Sequence, residues 1–341
     1  MTKEIRIVLA GCGSISGVWL KSLQKIEGVT VVGLVDINAD AALGRKEEFA
    51  LASAQTGTDL RAMLKATKAN VVFDCTVPGA HLQVELEAFR RGCHVLSEKP
   101  LADSMAHARR MVAASKKAGV LYAVMQNRRY QPEIRAFRQL IDSGSIGELT
   151  TLNGDFYIGA HFGGFRDHMK HVLLLDMAIH TFDAARYVAG ADAVAVYCHE
   201  WNPRGSWYDH DASAIAVFEM SNGVVYTYRG SWCAEGLNTT WECDWRAIGS
   251  KGSAIWNGAE AFRAQDVEKT GSFISTMKDV PVPIPVDAKR DSHLGCIRDF
   301  IDCVRTGRKP ETVCTDNIKS LAMVFGAIQS AESGKRVTIK I

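Results

Sequence analysis

Three ionisable side chains are spaced so that they share one side of a predicted helix in the second half of the chain. Asp176 and His180 lie four residues apart, and Asp183 follows three residues later. Residues three and four apart are neighbours on a helix, so these groups project from one stripe of an otherwise apolar segment. An imidazole titrating near neutrality can take a proton from a hydroxyl, which makes His180 a candidate general base. Asp176 could orient hydroxyls and Asp183 could fix the tautomer of His180; the plainer alternative is a buried His180–Asp183 pair.

A second group of polar residues precedes this helix. It contains His161, Asp167, His168 and His171, which invites a metal hypothesis because imidazole and carboxylate are common zinc ligands. Their order matches no known ligand spacing, so no metal is expected. The better interpretation is substrate contact, by side chains that can donate to hydroxyl or anionic groups: Tyr157, Arg166, His168 and Lys170.

A glycine-rich turn joins the first predicted strand to the first predicted helix, with the sequence Gly11-Cys12-Gly13-Ser14-Ile15-Ser16. Gly11 permits a tight turn, and Gly13 allows a pyrophosphate to approach the backbone. The helix start at Ser14 and Ile15 can then bind the phosphates through its N–H groups. The third glycine of the usual pattern is replaced by Ser16, a small residue that still permits close packing of helix against strand.

A carboxylate ends the second predicted strand, 25 residues after the first glycine of the turn. Asp36, followed by Ile37, stands where it can accept hydrogen bonds from the adenosine ribose and would repel a 2′-phosphate. NAD is therefore predicted as the cofactor in preference to NADP. Two alternatives stay open: Asp36 caps the helix that begins near Asn38, or Arg45 and Lys46 serve a 2′-phosphate. The two basic residues lie well into that helix, so we expect them to be solvated.

The first 125 residues supply a framework for this turn. Short β-branched runs alternate with amphipathic helical patterns, which is typical of a parallel sheet covered on both faces. The predicted strands are Ile5–Leu9, Thr30–Val35, Asn70–Asp74, His94–Leu96 and Val120–Val124. Ligands bind at the carboxyl ends of such strands, where Thr76, Pro78, His81 and Lys99 occur. His81 is explained nearly as well as a surface residue at the start of a helix.

The pattern changes after Gly147 to longer alternating runs joined by turn sequences, which predicts a mostly antiparallel sheet. These strands are Leu149–Ile158, Ala193–His199, Ala212–Glu219, Val224–Trp232 and Thr239–Ile248. Helices are predicted over residues 171–189, 289–305 and 316–333.

Composition excludes several classes of partner. The formal net charge is only +2 and no basic stripe occurs, so nucleic-acid binding is not expected. No apolar run approaches the roughly 18 residues of a membrane span, since even Val172–Ile179 contains Asp176. Nine cysteines without a C-x-x-C pair fit neither a disulfide framework nor a zinc ribbon. We therefore expect a cytoplasmic protein whose partner is a small molecule.

The segment Ser97-Glu98-Lys99-Pro100 directly follows the strand at His94–Leu96. With the glycine turn, Asp36 and Asp176-x-x-x-His180 in this order, the chain strongly resembles the Gfo/Idh/MocA oxidoreductase family. The resemblance implies that Lys99 is catalytic, that Glu98 holds the nicotinamide end, and that the Lys99–Pro100 bond is cis. It further implies that Arg128 contacts the nicotinamide pocket, that the site uses no metal, and that the protein is a homodimer or homotetramer. Arg129 is as readily an ion-pair residue.

These features predict an α/β plus α+β architecture of two domains. Residues 1–125 form a Rossmann NAD-binding domain, and residues 126–341 form a substrate and oligomerisation domain with a large, mostly antiparallel open sheet flanked by helices. The last helices can pack back on the first domain.

The predicted activity is hydride transfer between NAD and a secondary hydroxyl, or its ketone, on a sugar, inositol or related polyol. Lys99 would stabilise the reacting oxygen, His180 would exchange its proton and Asp176 would assist. Two alternatives stay open. One is an enzyme that cleaves glycosides through transient oxidation by tightly bound NAD, and the other is a non-enzymatic NAD-binding regulator. The presence of Lys99, Asp176 and His180 together argues against the regulator.

Overall fold

A computed structural model describes residues 4–259, 262–271, 273–282 and 292–341. The chain divides into two units, Met1–Tyr130 with Ala288–Leu321 and Gln131–Asp287 with Ala322–Ile341. The first contains a parallel sheet and the second a mostly antiparallel one, so the predicted fold class is confirmed. In the described part of the chain, no helix is both long and apolar enough to cross a lipid bilayer.

The first unit is built on a six-stranded parallel sheet. Its strands are β1 (Ile5–Ala10), β2 (Val29–Val35), β3 (Gln55–Gly57), β4 (Val71–Asp74), β5 (His94–Ser97) and β6 (Tyr122–Val124). They lie in the order β3-β2-β1-β4-β5-β6, so the direction of progression reverses between β1 and β4. Ligands of open α/β sheets bind beyond the carboxyl ends of the strands at such a reversal. The strand β3 was not predicted, because its three mostly exposed residues carry no apolar pattern.

Five helices follow these strands in turn. They are α1 (Ser14–Leu23), α2 (Ala39–Glu48), α3 (Leu60–Thr67), α4 (Pro78–Arg90) and α5 (Met105–Ala118). Polar side chains fix where three of them begin: Asn38 caps α2, Asp59 caps α3 and Ser104 caps α5, each accepting hydrogen bonds from N–H groups of the first turn. Gly119, in the left-handed conformation, ends α5.

The second unit is built on a nine-stranded sheet in the order β14-β13-β12-β11-β7-β10-β9-β8-β15. Its strands are β7 (Leu149–Tyr157), β8 (Ala193–Trp201), β9 (Ser213–Met220), β10 (Val225–Ser231), β11 (Asp244–Gly249), β12 (Gly252–Trp256), β13 (Phe262–Lys269), β14 (Thr276–Asp279) and β15 (Val337–Thr338). Every neighbouring pair is antiparallel except β7 and β10, which run parallel.

Helices cover one face of this sheet. They include α6 (Pro132–Asp142), a π-helical turn (Leu173–Ala178) and α7 (Ile179–Ala189). Phe182 of α7 packs edge-on against Phe218, Tyr226 and Tyr228 of the sheet. The strand residues that alternate with these point to the opposite, open face.

The last two helices are α8 (Ser292–Thr306) and α9 (Cys314–Ser333). The predicted start of α8, at residues 289–291, lies outside the described residues. α8 packs on α1 and completes the core of the first unit: the ring of Phe300 lies 6.2 Å from that of Phe73, which lies 5.0 Å from that of Trp19. The first residues of α9, 314–321, belong to the first unit, and the remainder belongs to the second.

Candidate active site

The glycine turn follows β1 and leads into α1. Gly11 has φ +86°, and a Cβ there would lie 2.6 Å from the carbonyl carbon of Cys75 and 2.7 Å from the nitrogen of Thr76. Only glycine allows this close approach of two backbone segments. Gly13 caps α1 without a side-chain hydrogen bond, and a Cβ there would meet nothing within 4 Å. Ser14 and Ile15 begin α1, where N–H groups have no partner within the helix, and the open space beside Gly13 suits an anion at this helix N-terminus.

Arg45 braces this turn from behind. Its Nη2 donates to the carbonyl oxygen of Gly13 at 2.9 Å, and its Nε donates to that of Cys12 at 3.3 Å. The expectation that Arg45 is solvated was therefore wrong, because its long side chain reaches back from α2 to the turn. Its guanidinium holds the turn rather than standing free for a 2′-phosphate.

Asp36 follows β2 and also bonds the turn. Its Oδ2 accepts from the Cys12 nitrogen at 2.7 Å, and its Oδ1 accepts from the Asn38 nitrogen at 2.8 Å. Asn38 itself caps α2, so Asp36 is not the cap of that helix. A half-exposed carboxylate fixed in this way retains lone pairs for the ribose hydroxyls of a dinucleotide.

A cleft of about 380 Å³ opens at this edge of the sheet. Its lining includes Gly11, Gly13, Asp36, Ile37, Cys75, Thr76 and Val77. Ile37 is 98% exposed and Val77 is 65% exposed, so two large apolar side chains line a cleft that also holds a carboxylate. This lining fits NAD. The apolar walls can hold the adenine ring, the carboxylate can bind its ribose, and the helix start can bind the phosphates.

The strand-end residue His81 does not line this cleft. Pro78 and Thr76 are partly exposed beside it, whereas His81 is 0% exposed and its Nε2 lies 3.1 Å from the carbonyl oxygen of Thr76. The predictions that His81 contacts the cofactor or lies at the surface are both corrected: its imidazole supports the Thr76 segment from behind. For a histidine at the start of a helix, the local sequence does not distinguish a buried side chain from one at the surface or in the cleft.

The segment after β5 is held by an indole. Trp19 Nε1 donates to Oε1 of Glu98 at 2.7 Å, and the backbone nitrogen of Lys99 donates to Oε2 at 3.1 Å. Burial raises the pKa of Glu98, and nearby Lys99 opposes that rise. The Lys99–Pro100 peptide is cis, as the resemblance implied. Lys99 itself is half-buried at the carboxyl end of the strand.

The two arginines after β6 lie in a 3₁₀ turn, Asn127–Tyr130. Arg129 forms an ion pair with Asp316 at 3.1 Å, so its ion-pair interpretation is confirmed. Arg128 is 9% exposed in the same turn. Its proposed contact with the nicotinamide pocket stays a prediction.

In the second unit, Asp176 lies in the π-helical turn Leu173–Ala178 and His180 lies in the first turn of α7. The helix predicted over 171–189 is confirmed from Leu173 to Ala189, but its first part is a π turn rather than an α-helix. A π turn spaces its hydrogen bonds five residues apart, so the directions of side chains differ from those of an α-helix. Such turns are frequent at functional sites.

Arg166 and Asp176 form a partly exposed ion pair. Nε of Arg166 donates to Oδ2 of Asp176 at 2.9 Å, and Nη2 lies 3.4 Å from Oδ1. The guanidinium also lies over the rings of Phe162 and Phe165, at 5.0 and 4.8 Å from their centroids. The structure thus joins two of the predicted substrate-binding residues in one polar group flanked by aromatic rings.

The other two ionisable groups of the helix differ in exposure. His180 is half-buried, and its Nδ1 is shielded from solvent. Asp183 is only 1% exposed, and its carboxylate lies 3.9 Å from the guanidinium of Arg186. The two roles predicted for Asp183, fixing the tautomer of His180 or forming a buried pair with it, stay predictions.

Two aromatic residues beside the ion pair, Phe162 and Phe165, were not singled out from the sequence. Phe162 packs edge-on against Trp232 at 5.1 Å. Tyr208 donates to the carbonyl oxygen of Ala160, and burial raises the pKa of its phenol to about 12, with a smaller contribution from the negative charge of Asp176. Aromatic residues in a β-rich sequence are common in cores, so position alone could not select these.

Tyr157 lies away from this group. On β7, Gly154 and Phe156 face the helical side, whereas Asp155 and Tyr157 alternate to the open face. Burial raises the pKa of Tyr157, and the negative charge of Asp155 raises it further. Asp155 itself forms an ion pair with Arg229. The prediction that Tyr157 contacts substrate beside Asp176 is corrected on this geometry.

The histidines before the helix bond three different carboxylates. His161 lies 2.7 Å from Glu235, His168 lies 2.5 Å from Asp209, and His171 lies 2.7 Å from the buried Glu200. They therefore do not converge on one point, as the metal hypothesis would have required. His168 is largely exposed, and its proposed contact with substrate stays a prediction.

The cleft, the glycine turn and the six-stranded sheet define a protein of the NAD-binding Rossmann class. Residues 5–126 match the oxidoreductase family with an NAD-binding Rossmann fold, GFO_IDH_MocA, and residues 134–255 match the C-terminal domain of that family. The chain is 30% identical to the uncharacterized protein y4oX of Sinorhizobium fredii, over 92% of this chain and 88% of the relative. The chain belongs to the Gfo/Idh/MocA family of NAD-dependent oxidoreductases.

Other relatives have more specific names. D-apiose dehydrogenase of Paraburkholderia graminis is 26% identical, over 99% of this chain and 90% of the relative. Among solved structures, an oxidoreductase from Agrobacterium radiobacter in complex with NAD+, L-tartaric acid and magnesium has a TM-score of 0.86 and 21% identity, covering 99% of both chains. At that identity the likeness concerns the fold.

Proposed function

We propose that this chain is a dehydrogenase that uses NAD to interconvert a secondary hydroxyl and a ketone on a sugar, inositol or related polyol. The observation that carries the proposal is the Arg166–Asp176 ion pair, which lies among aromatic rings in the segment leading to His180. An ion pair offers both donors and acceptors to neighbouring hydroxyls, and aromatic faces suit the C–H surfaces of a sugar ring. The dehydrogenase name of the relative from Paraburkholderia graminis supports the same substrate class.

Each residue has a separate role in the proposed reaction. NAD, when bound, supplies the hydride acceptor or, in the reverse direction, the reduced form supplies the donor. His180 accepts the hydroxyl proton at Nε2, and Asp176 with Arg166 holds the hydroxyls next to the reacting carbon. The ammonium of Lys99 donates a hydrogen bond to the reacting oxygen and stabilises its developing negative charge. Glu98, fixed by Trp19, holds the segment that carries Lys99.

The direct test is NADH absorbance while the purified protein and NAD are offered inositols, hexoses, pentoses, sugar acids and glycosides. Formation of NADH with one class of polyol or sugar would support the proposal and identify the substrate class. Glycoside cleavage without accumulation of NADH would instead support the transient-oxidation enzyme. If no compound leads to NADH formation although NAD is bound, the result would favour a regulator and contradict the dehydrogenase.

Variants then assign the roles. Lys99→Ala should abolish most turnover while the Kd for NAD changes little, and His180→Asn should lower kcat by about 10²- to 10⁴-fold, the usual contribution of a general base. Lys117→Ala is the matched control, because this exposed lysine lies in the last turn of α5. Normal turnover in either test variant would remove that residue from the mechanism.

We also propose that the protein assembles as a homodimer or homotetramer through the open face of the nine-stranded sheet. Large apolar side chains are exposed there, including Tyr197, Ile215 and Val217. Exposed apolar surface on one sheet face is typical of an interaction site. A cytoplasmic location is proposed because none of the nine cysteines forms a disulfide, and eight of them are buried. Light scattering of the purified protein and of Ile215→Lys tests the assembly: a monomeric wild type would contradict it.

A further inference from the structure

A fully buried polar cluster lies behind the Thr76 segment of the NAD cleft. Its members are Asp74 at the end of β4, His81 and Glu85 on α4, and Ser97 at the end of β5, and each is 0% exposed. One side-chain atom of each of Asp74, His81 and Glu85 lies within 4.8 Å of the others. We call this group the buried acid cluster. None of the cofactor contacts described above uses it.

The cluster binds Thr76 at three points. Oδ1 of Asp74 accepts from the Thr76 nitrogen at 2.9 Å and from its hydroxyl at 2.6 Å. Nε2 of His81 lies 3.1 Å from the Thr76 carbonyl oxygen. A carbonyl oxygen only accepts, so Nε2 carries a hydrogen, and in a neutral ring Nδ1 is then an acceptor. The cluster therefore fixes a segment that both lines the cleft and contacts Gly11.

The remaining atoms of the cluster are short of donors. Among the described residues, no hydrogen-bond partner is found for the buried Oδ2 of Asp74 or Nδ1 of His81, and no hydrogen bond of normal geometry reaches either oxygen of Glu85. An ionised Glu85 would add two more acceptors and a second negative charge to this space. Buried polar groups left in that state are costly. A proton on Glu85 turns one acceptor into a donor and removes the second charge.

Electrostatics point in the same direction. Burial raises the pKa of Glu85 well above its ordinary value, and the nearby charge of Asp74 raises it further. The groups that face Glu85 from the packed elements are Asp74 of β4, His81 of α4, Ser97 of β5, Tyr122 of β6 and Cys314 of α9. The hydroxyls of Ser97 and Tyr122 lower this pKa, but by less than burial raises it.

We propose that Glu85 is protonated in the native protein and donates a hydrogen bond to Oδ2 of Asp74, so that the buried acid cluster positions the Thr76 segment for NAD. Glu85 is thus a positioning residue that acts through Asp74 and Thr76. The inference needs only NAD binding, so it stands or falls independently of the proposed substrate.

The test compares two replacements of Glu85. Glu85→Gln is a neutral isostere that keeps a hydrogen donor, so the Kd for NAD should stay within about twofold of wild type at neutral pH. Glu85→Leu removes the donor, so the Kd should rise by about two- to tenfold, the equilibrium effect of one lost hydrogen bond. Rescue by glutamine but not by leucine separates a neutral donor from a general packing role.

Infrared spectroscopy tests the proton directly and does not depend on folding of the leucine variant. The wild-type minus Glu85→Gln difference spectrum should contain the C=O stretch of a protonated carboxylic acid. The matched control is Glu87→Gln on the same helix, because Glu87 is ion-paired with Arg90 and Arg91 and should contribute only carboxylate bands.

The pH dependence of stability gives a third measurement. An acid whose folded pKa is raised costs stability as the pH rises above its unfolded value, here 4.5, until the folded pKa is passed. The difference in Tm between Glu85→Gln and wild type should therefore increase in favour of the variant as the pH rises from this value. The corresponding difference for Glu87→Gln should show no such increase.

Three outcomes would overturn the proposal. One is the absence of the acid C=O band from the difference spectrum, which would place the donor on His81 instead. Another is weakening of NAD binding by Glu85→Gln as large as that caused by Glu85→Leu. The third is a stoichiometric divalent metal, measured by mass spectrometry of the purified wild type and lost from Glu85→Gln, which would make the cluster a metal site.

Discussion

Replacement of Gly11 by alanine tests the close approach of two backbone segments in the NAD cleft of the first unit. Gly11 has φ +86°, and an added Cβ would lie 2.6 to 2.7 Å from backbone atoms of Cys75 and Thr76. Two costs follow: the left-handed conformation disfavours any Cβ, and the facing backbone would have to move. Because that backbone is the Thr76 segment of the cleft, both stability and NAD affinity should fall.

Two other glycines of the same unit separate these costs. Gly92 has φ +69°, and an added Cβ there would meet nothing within 4 Å, so alanine at this position has only the conformational cost, about 1 to 2 kcal/mol. Gly11→Ala adds overpacking against backbone, about 1 to 3 kcal/mol more. For a unit of this size that excess corresponds to a further fall of roughly 2 to 10 °C in Tm.

Gly13→Ala completes the set. Gly13 has φ −70°, and a methyl group there points into open space, so the Tm of the protein without NAD should stay close to wild type. The methyl group would occupy space assigned to the pyrophosphate, so the Kd for NAD should rise. Thermal unfolding and NAD titration of the three variants are the assays. A Gly11→Ala protein as stable as Gly92→Ala would refute the steric reasoning, and unchanged NAD binding by Gly13→Ala would refute the placement of the phosphates.

Three further predictions follow from single contacts. Asp36→Asn should lower the ratio of kcat/KM with NAD to that with NADP, since it removes the charge that repels a 2′-phosphate; an unchanged ratio would assign the preference elsewhere. Trp19→Phe should destabilise the protein by about 1.5 to 3 kcal/mol in denaturant unfolding, because Glu98 loses its indole donor at 2.7 Å. If the loss of stability is no larger than that of a neutral surface substitution, Glu98 is not charged. The hydrogen bond that His171 donates to Glu200 raises the pKa of His171 above 6.5, so this pair stabilises fully below that pH and progressively less as the pH rises through the raised value. Glu200→Gln should lower the pKa of His171 measured by NMR and flatten the alkaline loss of Tm, and an unchanged titration would exclude Glu200 as the cause.

Features set by neighbouring residues were predictable from the sequence. The strand, turn and helix around Gly11 and the carboxylate at Asp36 depend on local apolar runs and on glycine, which leave a direct pattern. The Asn222-Gly223 turn between β9 and β10 was predictable for the same reason, since Gly223 has φ +85°.

Features that depend on long-range packing were not predictable from the sequence. His81 and a solvated histidine have the same local sequence, and only the placement of β4 and β5 around α4 buries it. Arg45 reaches a carbonyl 32 residues away, a contact decided by how α2 lies against the turn. The π turn that carries Asp176 has no apolar period distinct from that of an α-helix over six residues.

The position of α8 has a consequence for synthesis of the chain. Cys296, Ile297 and Phe300 belong to the same apolar cluster as Trp19 and Phe73, so the N-terminal unit acquires part of its interior from residues made about 220 to 280 positions later. A ribosome adds about 5 to 20 residues per second, so roughly 10 to 60 s would pass between synthesis of those two sets of residues. During that interval the side of the sheet that α8 will cover exposes aromatic surface, and a chaperone would have its longest opportunity to bind there.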